Sequence, residues 1–328
     1  CDARGGGLRD NVGQGLCGVR VMVWLAGMVG MMVLGSLAVI GFPDPTPEDD
    51  EERDDLPDDD APEAEGDPLV LDDSDQAPPG GVIAIGTEGD DTLTGTPQTD
   101  QLGGAGGDDL LDGLGADDEL VGGAGADTML GGDGNDTLHG DAGTDLVRGL
   151  DGDDLLFAHD GGGTLDGGEG ADTLQSGLDS DSLLGGGGDD ALHGGTGADL
   201  LFGAAPGQDD AVLDYLNGND GDDSLLIGAG DVASGGAGAD DFLLGHWGSD
   251  GDPAQLMDFD PDEDCMIVVY PDTEGAALPE LELRPSAEDP ALTELVVDGA
   301  VVAVLPSEDA PALDAILLVG ESEVEFDG

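Results

Sequence analysis

The most extensive pattern in the sequence is an apolar residue that recurs every nine positions between residues 86 and 202. When units are counted from Gly86, position 8 is apolar in all 13 and position 6 is Asp in 12, with Gly163 as the exception. Glycine fills position 1 in 11 units and position 4 in 10. The position-8 residues are Leu93, Leu102, Leu111, Leu120, Met129, Leu138, Val147, Leu156, Leu165, Leu174, Leu183, Leu192 and Leu201.

This pattern predicts a short strand and a tight turn in every unit. Positions 7 to 9 are long enough for a three-residue strand, in which only position 8 faces inward. Positions 1 to 6 must then reverse the chain, and repeated glycines supply the positive-φ conformations that such turns need.

Units such as residues 131–139 (GGDGNDTLH) and 185–193 (GGGGDDALH) resemble the RTX, or haemolysin-type, calcium-binding repeat G-G-x-G-x-D-x-U-x. The resemblance implies an all-β fold, a right-handed parallel β-roll with two units per coil, in which Ca²⁺ ions lie between successive turns. The pattern resumes imperfectly in residues 205–213, 218–226 and 235–243, so we expect the β-roll to span residues 86–244.

The resemblance also implies a set of calcium ligands, since carboxylate and carbonyl oxygens suit a hard cation that accepts many ligands. Position-6 aspartates 18 residues apart should pair along each edge, giving four intact pairs on one edge and five on the other. We expect the Gly163 gap to be weak or empty, the site at Asp100 to be doubtful because Pro97 and Gln98 replace turn residues, and Ala116 to weaken the next site. The predicted carboxylate ligands are Asp91, Asp109, Asp118, Asp127, Asp136, Asp145, Asp154, Asp172, Asp181, Asp190, Asp199, Asp223 and Asp240. The predicted glycine ligands are Gly123, Gly125, Gly132, Gly134, Gly143, Gly152, Gly168, Gly170, Gly186, Gly188, Gly195 and Gly197.

A core this narrow predicts that the roll needs its metal in order to fold. One apolar side chain per unit buries little surface, while ordering a glycine-rich backbone carries a large entropic cost. A cation bound only by the folded form would offset that cost.

Residues 1–85 predict that the protein is exported from the cytoplasm. Residues 1–18 form a short tail, and residues 19–42, in which Arg20 is the one charged residue, are long enough to span a bilayer as a helix. Arginines before this segment and an acidic run after it predict a cytoplasmic N-terminus. A cleaved signal peptide is the alternative, with Ser36 and Ala38 as the small residues of the cleavage site. Residues 43–85 read as a disordered acidic linker, with 17 acidic residues between positions 44 and 75.

Residues 245–328 predict a C-terminal β cap. Alternating stretches indicate strands at residues 264–270, 281–284, 295–304 and 315–319, and Asp298-Gly299 between two apolar runs predicts a hairpin. Solenoids need such a cap over the last coil. The end of the chain, residues 323–328, is loosely similar to a secretion signal, and residues 258–264 are either a solvated loop or a further Ca²⁺ site.

The amino-acid composition excludes several classes of function. The formal net charge is -71, and all six basic residues are arginine, so P-loop and Schiff-base lysine enzymes are excluded. Such a charge repels nucleic acid. The three cysteines include no CxxC pair and predict no zinc cluster. His139, His159 and His193 are interpreted as surface histidines.

These observations predict a non-catalytic protein that binds several Ca²⁺ ions at the cell surface or outside the cell, tethered to the membrane through residues 19–42. Cell-surface or matrix components are its expected partners. The alternative is the calcium-binding and secretion part of a secreted hydrolase, a protease or lipase, whose catalytic domain is absent from this chain. A pure calcium buffer is a second alternative.

Overall fold

The computed structural model describes residues 80–204, 212–245, 252–271 and 278–321. The predicted tail, the membrane segment, almost all of the acidic linker and residues 323–328 lie outside these ranges. Within the ranges, no helix has the length and apolar character needed to cross a membrane.

Two sheets formed by alternate strands make up the described part of the chain. Strands with odd numbers, together with one cap strand, build a 13-stranded sheet in the order β1 (Ile83–Ile85), β3 (Gln101–Gly106), β5 (Glu119–Ala124), β7 (Thr137–Ala142), β9 (Leu155–Asp160), β11 (Thr173–Gly177), β13 (Ala191–Gly195), β15 (Tyr215–Asp220), β17 (Val232–Ala237), β19 (Ala254–Leu256), β23 (Ala300–Pro306), β22 (Leu292–Val297) and β21 (Leu281–Pro285). The 11-stranded sheet has the order β2 (Thr92–Thr94), β4 (Leu110–Gly115), β6 (Thr128–Asp133), β8 (Leu146–Asp151), β10 (Thr164–Glu169), β12 (Ser182–Gly187), β14 (Leu200–Phe202), β16 (Ser224–Ile227), β18 (Asp241–Gly245), β20 (Cys265–Tyr270) and β24 (Leu317–Gly320).

Strands of one sheet pair in parallel with a shift of one coil, as the resemblance implied. Leu102 pairs with Leu120 in one sheet, and Leu111 pairs with Met129 in the other. Each coil therefore holds two nonapeptides, and the chain is an all-β parallel solenoid. The coil length changes after Phe202, where Leu192 pairs with Leu216.

The core is a double row of position-8 side chains, which confirms the central prediction from the sequence. All 13 of these residues are buried, from Leu93 to Leu201. The row continues through Leu216, Leu225, Ala233 and Phe242.

The predicted strand length is wrong. Most strands run for six residues, from position 7 through position 3 of the next unit, as in β4. Position 1 therefore also faces the interior, and Gly113 is buried there beside the position-8 row. The sequence-based expectation of a single inward position failed because a period of two brings position 1 to the same face as position 8.

The C-terminal part continues both sheets. β20 and β24 pair in parallel with the 11-stranded sheet, and β23 joins the other sheet beside β19. β22 and β23 form the predicted hairpin, with positive φ at Asp298 (51°) and Gly299 (89°), as a tight two-residue turn requires. A short 3-10 turn, Leu313–Ala315, precedes β24.

Candidate metal centre

A ladder of aspartates runs along each edge of the roll, where the position-6 residue precedes its strand. The backbone N–H of Asp118 donates to Oδ1 of Asp136 across 2.7 Å, and that of Asp136 donates to Oδ1 of Asp154 across 2.8 Å. On the other edge, Asp109 donates in the same way to Asp127 at 2.8 Å. These rungs of the regular repeat therefore join aspartates 18 residues apart, as the sequence predicted.

These carboxylates are buried, yet each uses only one of its two oxygens. The Oδ2 atom has no solvent contact and no hydrogen-bond partner at Asp109, Asp118, Asp127, Asp136, Asp154, Asp172, Asp199 and Asp223. A buried carboxylate oxygen without a donor is costly, because the group has lost its hydration and gained nothing in return. Such a row of oxygens fits a cation better than it fits an apolar core.

Position 1 is glycine because the carboxylate occupies the space of a side chain. A Cβ built on Gly122 would lie 2.5 Å from Oδ2 of Asp127, five residues later in the same unit. The φ of Gly122 is not positive, so its role is to leave room rather than to permit an unusual backbone conformation.

Glycines at positions 2 and 4 have the other role, and they have the conformation predicted from the sequence. All 12 glycines expected as metal ligands have positive φ, including Gly125 (139°) and Gly143 (143°). The two stack one coil apart, and a Cβ on Gly143 would overlap the carbonyl oxygen of Gly125. The turns therefore place backbone carbonyls of adjacent coils close together along the carboxylate edge.

The first carboxylate on each edge is already occupied by protein donors. Oδ2 of Asp91 accepts from the N–H of Thr87 at 2.5 Å and from its hydroxyl at 2.9 Å. Asp100, doubted on sequence grounds, is fully buried and joins the ladder, but it accepts from the N–H of both Val82 and Thr96. These two carboxylates are less open to a cation than those in the middle of the roll.

The ladder is interrupted in one unit, and two residues change there together. Gly163 replaces Asp at position 6, and the buried Ala158 replaces Gly at position 1. The ladder resumes when the N–H of Gly163 donates to Oδ1 of Asp181 at 2.6 Å. One unit later, Ser176 at position 1 turns its hydroxyl toward the carbonyl of Gly194 and also contacts the Asp181 carboxyl.

Two ladder residues beyond the regular repeat, Asp214 and Asp231, were missed from the sequence, and a third, Asp264, lies in the stretch 258–264 that the sequence offered as a further Ca²⁺ site. The N–H of Asp190 donates to Asp214, that of Asp214 donates to Asp231, and that of Asp240 donates to Asp264. The frame assumed for residues 205–213 is therefore wrong, because extra residues before Asp214 shift the register. Each missed aspartate precedes a buried apolar residue by two positions, as Asp214 precedes Leu216, and this spacing is the signal that finds them.

Burial raises the pKa of the ladder carboxyls. The pKa values of Asp118, Asp154, Asp199 and Asp240 rise to about 7, chiefly because burial penalises the charged form; backbone hydrogen bonds oppose the rise and neighbouring carboxylates add to it. A multivalent cation would reverse this effect and keep the groups ionised.

This donor set fits Ca²⁺ in its chemistry. Beside Gly131, for example, the Asp136 Oδ2 and the Gly149 carbonyl oxygen lie 2.4 and 2.7 Å from the point where a Cβ would stand. Such hard oxygen ligands suit calcium better than a transition metal. Over the described ranges, no three His, Cys, Asp or Glu side chains converge into a metal cluster, so backbone carbonyls would have to supply the remaining ligands.

The comparison with protein families agrees with this repeat pattern. The family profile "RTX calcium-binding nonapeptide repeat (4 copies)" matches residues 83–111, 103–138, 112–147, 130–165, 139–174 and 166–201. Among solved structures, the chain is similar to the solution structure of the AlgE6R3 subunit from the Azotobacter vinelandii mannuronan C5-epimerase, with 23% identity, a TM-score of 0.26, and coverage of 52% of this chain and 84% of that chain. No curated protein sequence matches the chain. The profile therefore identifies residues 83–201 as a run of RTX-type calcium-binding nonapeptide repeats.

Proposed function

We propose that this chain binds several Ca²⁺ ions along its two aspartate edges and that the binding drives folding of the roll. The observation that carries the proposal is the row of buried Oδ2 atoms without donors. In the absence of metal these oxygens destabilise the folded state, so a cation that contacts them stabilises only that state.

The binding region extends beyond the regular repeat. The aspartate ladder continues through Asp223 and Asp240 to Asp264, although coil lengths vary there. At Asp264 the second carboxyl oxygen accepts from the N–H of Asp260 at 2.7 Å, as happens at the first rungs. We therefore place the last calcium positions before this residue, and we propose that residues 258–264 close the ladder.

The biological role that fits this chemistry is a non-catalytic element outside the cell. Extracellular Ca²⁺ is abundant and cytosolic Ca²⁺ is scarce, so an exported chain would fold only after it leaves the cytoplasm. Membrane tethering through residues 19–42 and binding to cell-surface or matrix components belong to the same proposal. The strongly acidic composition supports it, because an ion-loaded roll keeps a large negative charge and stays soluble.

A matched pair of variants in one unit tests calcium binding at the ladder. Asp136→Asn keeps the shape and the Oδ1 acceptor but removes the charge from a buried rung, whereas Asp133→Asn removes a charge from an exposed position three residues earlier. Calorimetric titration of the full chain should show fewer bound Ca²⁺ ions and weaker binding for Asp136→Asn, with Asp133→Asn close to wild type. Equal effects of the two variants would mean that calcium responds only to overall charge.

The alternative is that the roll serves a secreted hydrolase. It rests on sequence alone, because a catalytic domain would have to come from outside this chain. Assay of the longer reading frame, if one precedes Cys1, for protease and lipase activity separates the two proposals.

A further inference from the structure

Three aromatic rings pack together on the outer face of the 13-stranded sheet, away from the aspartate ladder. His139 on β7 stacks on Phe157 of β9, with ring centroids 4.8 Å apart and planes within 4°. His159, two residues after Phe157, turns its ring toward His139 so that Nε2 of His159 lies 3.0 Å from Nδ1 of His139. Two imidazole nitrogens therefore face one another on an accessible surface.

The backbone beneath this pair has the conformation that position 2 adopts in most units of the roll. Position 2 has positive φ whether it is glycine or not, as at Ala105, Leu114 and Leu150, and here it is Asp141 (71°) in one strand and His159 (73°) in the next. The two residues are register partners, and Oδ1 of Asp141 lies 3.8 Å from Nε2 of His159.

We infer that His139 and His159 form a two-nitrogen site for a divalent transition-metal ion such as Cu²⁺ or Zn²⁺, separate from the calcium ladder. Neutral imidazole is a preferred ligand for these ions and a poor one for Ca²⁺. Burial and the neighbouring His159 lower the pKa of His139, which favours the neutral, metal-binding form of its ring.

The His139 and His159 side chains need only local rotation to bind one metal ion together. Metal–nitrogen bonds of about 2.0 Å place two adjacent ligands roughly 3 Å apart, close to the separation seen here. The rings must rotate so that both lone pairs meet at the ion, and the His159 side chain is 43% exposed, which leaves it room to turn. The ring that now donates its N–H moves that proton to its other nitrogen, so two neutral rings bind the ion without releasing a proton.

Water completes the coordination, and the Asp141 carboxylate offsets the charge of the ion. Across the ranges that the structure covers, no third His, Cys, Asp or Glu joins the pair as a ready-made cluster, so the protein contributes two nitrogen ligands. His193 on β13 offers an internal comparison. It also stands at position 9, but Gln175 and Asn217 flank it in the neighbouring strands, so it has no second imidazole.

Copper binding to the full chain tests the inference, with Ca²⁺ in excess to occupy the carboxylates. Electron paramagnetic resonance of the first Cu²⁺ equivalent should show two imidazole nitrogens in wild type and one in His139→Gln or His159→Asn, the latter chosen because Asn tolerates positive φ. Each variant should bind Cu²⁺ at least about tenfold more weakly, whereas His193→Gln should bind like wild type. Circular dichroism in Ca²⁺ checks that every variant is folded. Unchanged copper binding in both His139→Gln and His159→Asn, or an equal loss of copper binding in His193→Gln, would overturn the site.

Discussion

Gly122 and Asp127, at positions 1 and 6 of one nonapeptide, share a single volume inside the roll. A Cβ on Gly122 would lie 2.5 Å from the Asp127 Oδ2 and 3.0 Å from its Cγ. The same close approach recurs along both edges of the roll. The glycine at position 1 and the aspartate at position 6 of such a unit therefore depend on each other. The glycine makes the cavity and the aspartate fills it with an oxygen that no protein donor satisfies.

Gly122→Ala should therefore damage the roll even though its backbone conformation suits alanine. The added methyl group displaces the Asp127 carboxylate, and overpacking of this kind costs about 1–3 kcal/mol. We expect a higher Ca²⁺ concentration at the folding midpoint, measured by circular dichroism. Gly103→Ala is the matched control, because a Cβ at Gly103 meets no atom within 4 Å and φ there is not positive. Similar midpoints for the two variants would contradict the shared-volume account.

The interrupted unit should be repairable, but only by two changes together. Ala158→Gly reopens the volume, and Gly163→Asp supplies the missing carboxylate between Asp145 and Asp181. The double variant should bind more Ca²⁺ ions than wild type, as counted by native mass spectrometry. Gly163→Asp alone should gain less, because the Ala158 methyl group occupies the space for the new carboxylate. Additive effects of the two single changes would count against this coupling.

Acid should favour the metal-free roll and oppose calcium binding. The folded-state pKa values of Asp118, Asp154 and Asp199 are raised from 3.8 to about 7. Their contribution to the stability of the metal-free roll is therefore present below about pH 4 and is lost as the pH rises through about 7. Calcium needs the ionised groups, so its apparent affinity should fall as the pH is lowered below about 7.

Proton release reports this linkage directly. Below about pH 7, where protonation favours a folded metal-free roll, titration calorimetry in buffers of different ionisation enthalpy should detect protons released on Ca²⁺ binding. At higher pH the metal-free chain is unfolded and its carboxyls are already ionised, so fewer protons should be released. Asp154→Asn should release fewer protons than wild type. Binding without proton release across this range would show that the ladder carboxyls are already ionised in the metal-free state.

The regular part of the fold could be predicted from the sequence because one residue in nine decides the core. Leu111 and Asp109 follow the register without interruption, and the structure places them as expected. The second inward row at position 1 was harder to foresee, because Gly113 has no side chain to produce a hydropathy signal. Its role appears only when the neighbouring carboxylate is placed in three dimensions.

The irregular coils escaped sequence analysis for a different reason. Asp214 and Asp231 lie in coils whose lengths are not 18, so a fixed frame cannot find them. The His139–His159 pair was also missed as a pair, because the residues are 20 positions apart and approach only through the parallel register of β7 and β9.

The central claim is that calcium drives folding, and circular dichroism of the full chain during Ca²⁺ titration tests it most directly. After thorough chelation at neutral pH, the account predicts little β signal, a cooperative rise on addition of Ca²⁺, and no comparable rise with Mg²⁺, which accepts fewer ligands and requires stricter geometry. An identical β spectrum with and without Ca²⁺ would contradict the account, because the buried aspartate oxygens would then be tolerated without a metal.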